Sequence, residues 1–210
     1  MTARCGALWG IIAICTVIEL VLSSADLGIL GSQTLRFQVF MVAAFWDGYL
    51  TQWPAQYPLH PLAMFVTHAF LHANFLHLVV NMASLAGLGK VVILMIGQRR
   101  FLALYLMSAI GGGAGFALIS DIDAPMVGAS GALFGLLGLL IGHEIKNALA
   151  QKSTLLPAIR TIGVLILLNV VLWWATAGHL AWQAHLGGAI VGLVWAFFAL
   201  GQSENRAKHP

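Results

Sequence analysis

The sequence predicts an all-α membrane protein, a bundle of six transmembrane helices with a long interfacial connection after the first. Three observations carry this. Hydrophobic residues make up 60% of the chain and charged residues 8%, whereas soluble domains carry about 25% charged residues. Several apolar runs approach or pass the roughly 17–25 residues that cross a bilayer as a helix. The 23 glycines suit membrane helices, whose backbones approach closely. At 210 residues, the chain is expected to form one membrane domain: core 7–200, interfacial loop 25–61 and cytoplasmic tail 201–210. A formal charge of +3, spread over short polar segments, argues against a nucleic-acid partner. Cys5 and Cys15 both lie in the first apolar region, so a disulfide framework has no support.

The first span covers about residues 7–24. Arg4, the apolar stretch and Ser23-Ser24-Ala25 could also pass for a secretory signal peptide. The region reads more simply as a span, and Glu19 within it calls for a partner inside the bundle. The connection 25–61 is too polar to cross, with Asp26, Arg36, Asp47, Pro54 and Pro58. Phe37, Phe40, Met41 and Phe45 fit helical spacing, which predicts one or two amphipathic helices in the interface. Trp46 and Trp53 are the expected anchors.

The second span is expected from Leu62 or Ala63 to Leu88. Lys90 and Gln98-Arg99-Arg100 bracket a piece, 91–97, too short to cross alone. The third runs over 101–119, with Gly111, Gly112, Gly113 and Gly115 in its later half. The fourth begins at Ser130 and fades at His143-Glu144. About 14 residues at ~1.5 Å each give ~21 Å against a core of ~30 Å, which would sink Ser130 below the near surface. The fifth and sixth cover 155–175 and 181–200. With the N-terminus inside, nine of the 10 basic residues fall on the cytoplasmic side: Arg4, Lys90, Arg99, Arg100, Lys146, Lys152, Arg160, Arg206 and Lys208. Only Arg36 falls outside, with Asp26, Asp47, Asp121, Asp123 and the interfacial Trp173, Trp174 and Trp182.

On this topology the chemistry-bearing residues converge in the outer half of the bundle. Ser130 stands in Met126-Val127-Gly128-Ala129-Ser130-Gly131-Ala132 at a helix start, and His185 lies about one turn into the sixth span. Together they form the smallest arrangement that activates an alcohol, the imidazole taking the hydroxyl proton and returning it to the leaving amine. No aspartate is positioned to orient the histidine, so a dyad is expected. Gly188 and Gly192, with Gly131 and its repeats in the fourth span, would let the two helices touch. His77 and Asn81, four apart on one face, could donate to a developing oxyanion beside the Ser130 amide. Each has a plainer reading: a small residue at a crossing, a carbonyl-bonded histidine, polar helix glue. His68 and His72 would share a helical face, but His77 is turned about 140° away, so no metal site is expected; they line a wet entrance instead.

These motifs in this order resemble the rhomboid intramembrane serine proteases. The resemblance rests on His77 and Asn81, Gly128-Ala129-Ser130-Gly131, Ala184-His185 with Gly188 and Gly192, and Thr67-His68-Ala69-Phe70-Leu71-His72. It implies Ser130 as nucleophile, His185 as base, His77, Asn81 and the Ser130 amide as oxyanion site, and Gly128 shaping the approach. It implies single-span membrane proteins as substrates, reached laterally near spans two and five, and no cofactor. The expected location is a bacterial inner (cytoplasmic) membrane, with both termini cytoplasmic on the bias of basic residues; the oligomeric state stays open. The tryptophan-arginine pair common in the family's first loop is absent: the region reads Leu62-Ala63-Met64-Phe65, and Arg36 is too distant in sequence to be assumed its replacement. Two rivals remain. One is a catalytically inactive relative that binds membrane proteins for quality control; the other is a small transporter relaying protons through histidines, which predicts symmetric halves.

Overall fold

The computed structural model describes residues 5–120 and 124–199. The expectations on Arg4, Asp121, Asp123 and the tail 201–210 lie outside the described residues. The helices in chain order are α1 (Gly6–Asp26), α2 (Leu35–Ala43), α3 (Gly48–Thr51), α4 (His60–Thr67), α5 (Phe75–Ile96), α6 (Gln98–Ile119), α7 (Ser130–Ala150), α8 (Leu156–Ala175) and α9 (Trp182–Ala199), with a 3-10 turn at His68–Phe70. Five of them (α1, α5, α6, α7 and α8) are long and apolar enough to cross a membrane, and α9 contributes a shorter apolar stretch of 17 residues, Trp182–Phe198. The chain is an all-α, multi-spanning membrane protein.

Burial follows the helical repeat. In α1, Leu8, Ile11, Cys15, Glu19, Leu22 and Ala25 are buried at three- and four-residue spacing, one stripe turned to the bundle. Trp9, Ile14, Val17 and Leu20 on the other side are exposed, as a lipid-facing surface requires. The stripe packs on α5, and α9 packs on both α6 and α7, which also touch each other. Glycine is required where α7 meets α9. A Cβ on Gly188 would strike the Gly131 carbonyl, and one on Gly192 the Gly135 carbonyl. The two backbones touch directly.

Several expected boundaries move. The second span begins at Phe75, not near Leu62, and runs to Ile96. The Asn74 side chain caps it by accepting from the His77 amide at 2.9 Å, and the preceding Leu71 is extended. Residues 91–96 are therefore the end of this helix and not a separate piece. Lys90 does not stop it, because its ammonium lies over the Trp9 ring, 5.4 Å from the centroid. The fourth span does not fade at His143-Glu144: α7 has 21 residues, about 31 Å at helical rise. A helix of that length matches a core of ~30 Å without sinking Ser130 below the near surface. Phe45 leaves the predicted amphipathic face, since α2 ends at Ala43.

Phe45 instead pairs with Met126, each amide donating to the other's carbonyl at 3.0 and 2.9 Å. This short bridge fixes the first connection to the segment that leads into Ser130. Arg36 anchors the same connection to α1. Its guanidinium donates to both Glu19 oxygens at 3.0 and 2.8 Å, to Asp26 at 2.7 Å and to the His72 carbonyl at 2.9 Å. Burial works against its charge, but Glu19 and Asp26 outweigh that and raise Arg36 above the usual arginine range.

Candidate active site

Ser130 is the first residue of α7. At that position the backbone N–H has no partner within the helix, and the hydroxyl is free to point off the end. The Ser130 hydroxyl lies 2.8 Å from His185 Nε2, across the glycine-lined contact of α7 and α9. The other ring nitrogen, Nδ1, lies 2.6 Å from Asn169 Oδ1. Asn169 donates its own Nδ2–H to the Leu165 carbonyl at 2.9 Å, which turns Oδ1 toward the histidine. The Phe134 ring, one turn after Ser130, stacks on the imidazole with centroids 4.2 Å apart and planes 3° from parallel. The ring is thus held at both nitrogens and on one face.

Sequence reasoning missed Asn169 and Phe134. The expected dyad looked for an acid and found none. The signal for Asn169 was an amide inside the apolar run of the fifth span, where a polar side chain needs a partner. For Phe134 it was the four-residue spacing from Ser130.

His77 and Asn81 sit in the first two turns of α5, not deep in a span. The Cβ that Gly128 lacks would fall 2.8 Å from His77 Cε1 and 3.8 Å from Ser130 Oγ, so His77, Gly128 and the serine share one small space. Gly128 also has φ +128°, a conformation that only glycine adopts readily. Asn81 is buried and donates to the His77 carbonyl at 2.9 Å, leaving its second N–H available. Gly128→Ala should therefore cut any Ser130-dependent turnover about tenfold or more while the protein still folds, because it strains the backbone and displaces the His77 ring. Turnover equal to wild type, measured on purified protein, would show that His77 is not held in place there.

His68 and His72 are not on one helical face, since the chain turns and extends between them. The helical angles expected between His68, His72 and His77 therefore do not hold across this turn. His68 and His72 are enclosed, 1% and 0% exposed, and not at an open mouth. His68 Nδ1 bonds the Met64 carbonyl at 2.8 Å, and its own carbonyl accepts from the Gly128 amide at 3.0 Å. Burial pushes His68 down to about 4. Burial and the neighbouring His77 push His72 down to about 3. Both stay neutral at neutral pH. The His72 ring meets the His77 ring edge-on, with centroids 5.2 Å apart, so the two histidines bear on the serine through His77 and Gly128.

Beside His185 an apolar cavity of about 520 Å³ opens between α8 and the α7–α9 pair, lined by Phe134, Leu165, Asn169, Trp173, Trp182 and His185 among others. One side of the imidazole therefore faces a space fit for an apolar chain.

Comparison with known proteins gives the same family that the motifs suggested. The sequence profile described as the Rhomboid domain matches residues 60–202. RHOMBOID-like protein 5 of Arabidopsis thaliana is 36% identical over 132 residues, 62% of this chain and 42% of that protein. YdcA of Bacillus subtilis is 30% identical over 142 residues, 67% of this chain and 69% of that protein. Rhomboid protease GluP of the same bacterium is 36% identical over 140 residues, 65% of this chain and 25% of that protein. The chain thus spans less than half the length of the first and the last of these. With the profile covering more than half of the chain, from α4 to the end of α9, this protein belongs to the rhomboid family.

Proposed function

We propose that this chain is an intramembrane serine endopeptidase that hydrolyses peptide bonds in or near the transmembrane segments of single-span membrane proteins. The observation that carries the reading is the 2.8 Å approach of Ser130 Oγ to His185 Nε2 between two helices of a membrane bundle. In this reading the Ser130 oxygen attacks the scissile carbonyl carbon while its proton passes to Nε2. The carbonyl π electrons move to oxygen, and the resulting anion meets the Ser130 N–H, His77 and the free N–H of Asn81. Collapse breaks the C–N bond as the imidazolium returns its proton to the leaving nitrogen, leaving an ester on Ser130. Water then attacks the ester carbon as Nε2 takes its proton, and collapse breaks the bond to Ser130 Oγ, which receives that proton from Nε2, so the acid leaves and the serine is restored.

The fold reading extends in the same way. We take α9 as a sixth span, since its 17-residue apolar stretch reaches the lower end of the ~17–25 residues needed. Residues 27–74 lie along the outer interface, with Trp46 and Trp53 as their aromatic anchor, the rings tilted by 51° with centroids 5.5 Å apart. The bias of Lys and Arg favours cytoplasmic termini. The apolar cavity beside α8 favours lateral access of substrate on the fifth-span side.

The test pairs purified wild type with Ser130→Ala and His185→Ala on a tagged single-span substrate in liposomes. Wild type is expected to give a defined product. Each variant should fall at least about 1,000-fold, in line with loss of a nucleophile or its base. Equal product from the variants would overturn the mechanism. A folded wild type that binds the substrate without cutting it would favour the inactive, quality-control reading.

A further inference from the structure

We propose that Asn169 is a positioning residue for His185, which extends the expected pair to a Ser130–His185–Asn169 relay. This rests on the reading of Ser130 and His185 as nucleophile and base.

The geometry defines the tautomer. Asn169 Nδ2 is committed to the Leu165 carbonyl at 2.9 Å, so the atom facing the imidazole is the acceptor Oδ1, at 2.6 Å from Nδ1. An acceptor there requires the proton on Nδ1. That leaves the lone pair on Nε2, which faces the Ser130 hydroxyl at 2.8 Å. Only this tautomer can take the serine proton. Once Nε2 is protonated, the ring is an imidazolium and its Nδ1–H bond to Oδ1 becomes charge-assisted, so it strengthens as the transition state forms. Phe134 fixes the plane of the ring, but stacking cannot choose between the nitrogens. Asn169 makes that choice.

An amide also fits the surroundings. An aspartate would serve as acceptor, but it would bring a full charge into an apolar cavity lined by Leu165 and Trp173, with no cation among the lining residues to compensate. A neutral amide orients the ring without that cost. Asn169 is supplied by α8, of whose residues only Ala158 is buried. The bond to His185 is thus the polar tie between this lightly packed helix and the site.

The experiment measures kcat, KM and the pH–rate profile of the full chain in liposomes with the tagged single-span substrate. It compares wild type, Asn169→Leu, Asn169→Asp and Ser130→Ala. N169L should lower kcat about 10- to 100-fold, as expected for a lost hydrogen bond to a charged group, with KM little changed. N169D restores an acceptor at Nδ1; it should recover kcat to within about fivefold of wild type and move the acidic limb of the profile by about one pH unit toward higher pH. A role confined to helix packing would not move the profile. N169L with wild-type kcat, or N169D with the wild-type profile, would overturn the inference while an inert S130A left the Ser130 mechanism standing. Wild-type product from S130A would take down both. Should N169L fail to fold, the profile of N169D decides alone.

Discussion

Valine at Gly188 should lower substrate cleavage at least about 100-fold and lower the melting temperature of the protein as well. A side chain there has nowhere to go. The first atom it adds would strike the Gly131 carbonyl, with the carbonyl carbon at 2.8 Å and Gly131 Cα at 3.3 Å. These are backbone atoms of a packed helix, not the mobile end of a side chain, so α9 must move off α7 by an ångström or more. Gly131 adjoins Ser130, and Gly188 lies within one turn of His185. The same displacement therefore pulls apart the hydroxyl and imidazole that stand 2.8 Å apart. A misplacement of ~1 Å at a reacting pair is worth about 100-fold in rate, and overpacking a tight contact costs about 1–3 kcal/mol. Gly87→Ala is the control: a Cβ at Gly87 meets nothing within 4 Å, so in mid-helix it should be neutral or stabilise by about 0.5–1 kcal/mol. Thermal melts in detergent check stability without reference to any activity. G188V that melts and cleaves like wild type would mean the two helices are not held at backbone contact.

This contact was legible in the sequence, and the reason is physical. Glycines at four-residue spacing on two spans encode a close approach, and a serine and a histidine on the same faces then have to meet. The last two helices were equally legible, because Leu156–Ala175 and Trp182–Phe198 are apolar runs between clear breaks. What misled was polarity taken as punctuation. Lys90 lies inside α5 because its long stem carries the ammonium to the Trp9 face. His143 and Glu144 lie inside α7 because a helix can run on past the apolar core, its intrahelical bonds unaffected by what surrounds them. In the other direction, the apolar run from Leu62 onward hid a break that Asn74 makes with a single cap. Asn169 was missed for a different reason. Its partner stands 16 positions away, past a turn, and no periodicity links two helices whose relative rotation is set by packing.

The second large effect concerns Glu19, which the sequence placed alone inside a span. Leucine at Glu19 should cost the protein about 2–3 kcal/mol, because Arg36 loses two charge-assisted hydrogen bonds and keeps Asp26 and the His72 carbonyl. Glu19 is 0% exposed and has no water to fall back on, whereas the Arg36 side chain is 15% exposed and keeps Asp26 at 2.7 Å. Removing both charges together, in E19L/R36L, should recover more than half of that loss, because an apolar pair of similar volume avoids both desolvation costs. The double-mutant cycle, read from thermal melts, should show a coupling of at least about 1 kcal/mol. E19L should also lose activity. Arg36 holds the His72 carbonyl at 2.9 Å, two residues before the Asn74 cap of α5, and His77 is positioned from that cap. Releasing the guanidinium loosens the first connection and the histidine beside Ser130 together. The tryptophan-arginine pair is absent from residues 62–65, and in this chain Arg36 on α2 ties the first connection to α1 through Asp26 and Glu19. Its partners stand 10 and 17 positions back in the sequence, which concealed the contact. An E19L protein that melts with wild type, or a double variant no better than E19L, would show that the pair is incidental.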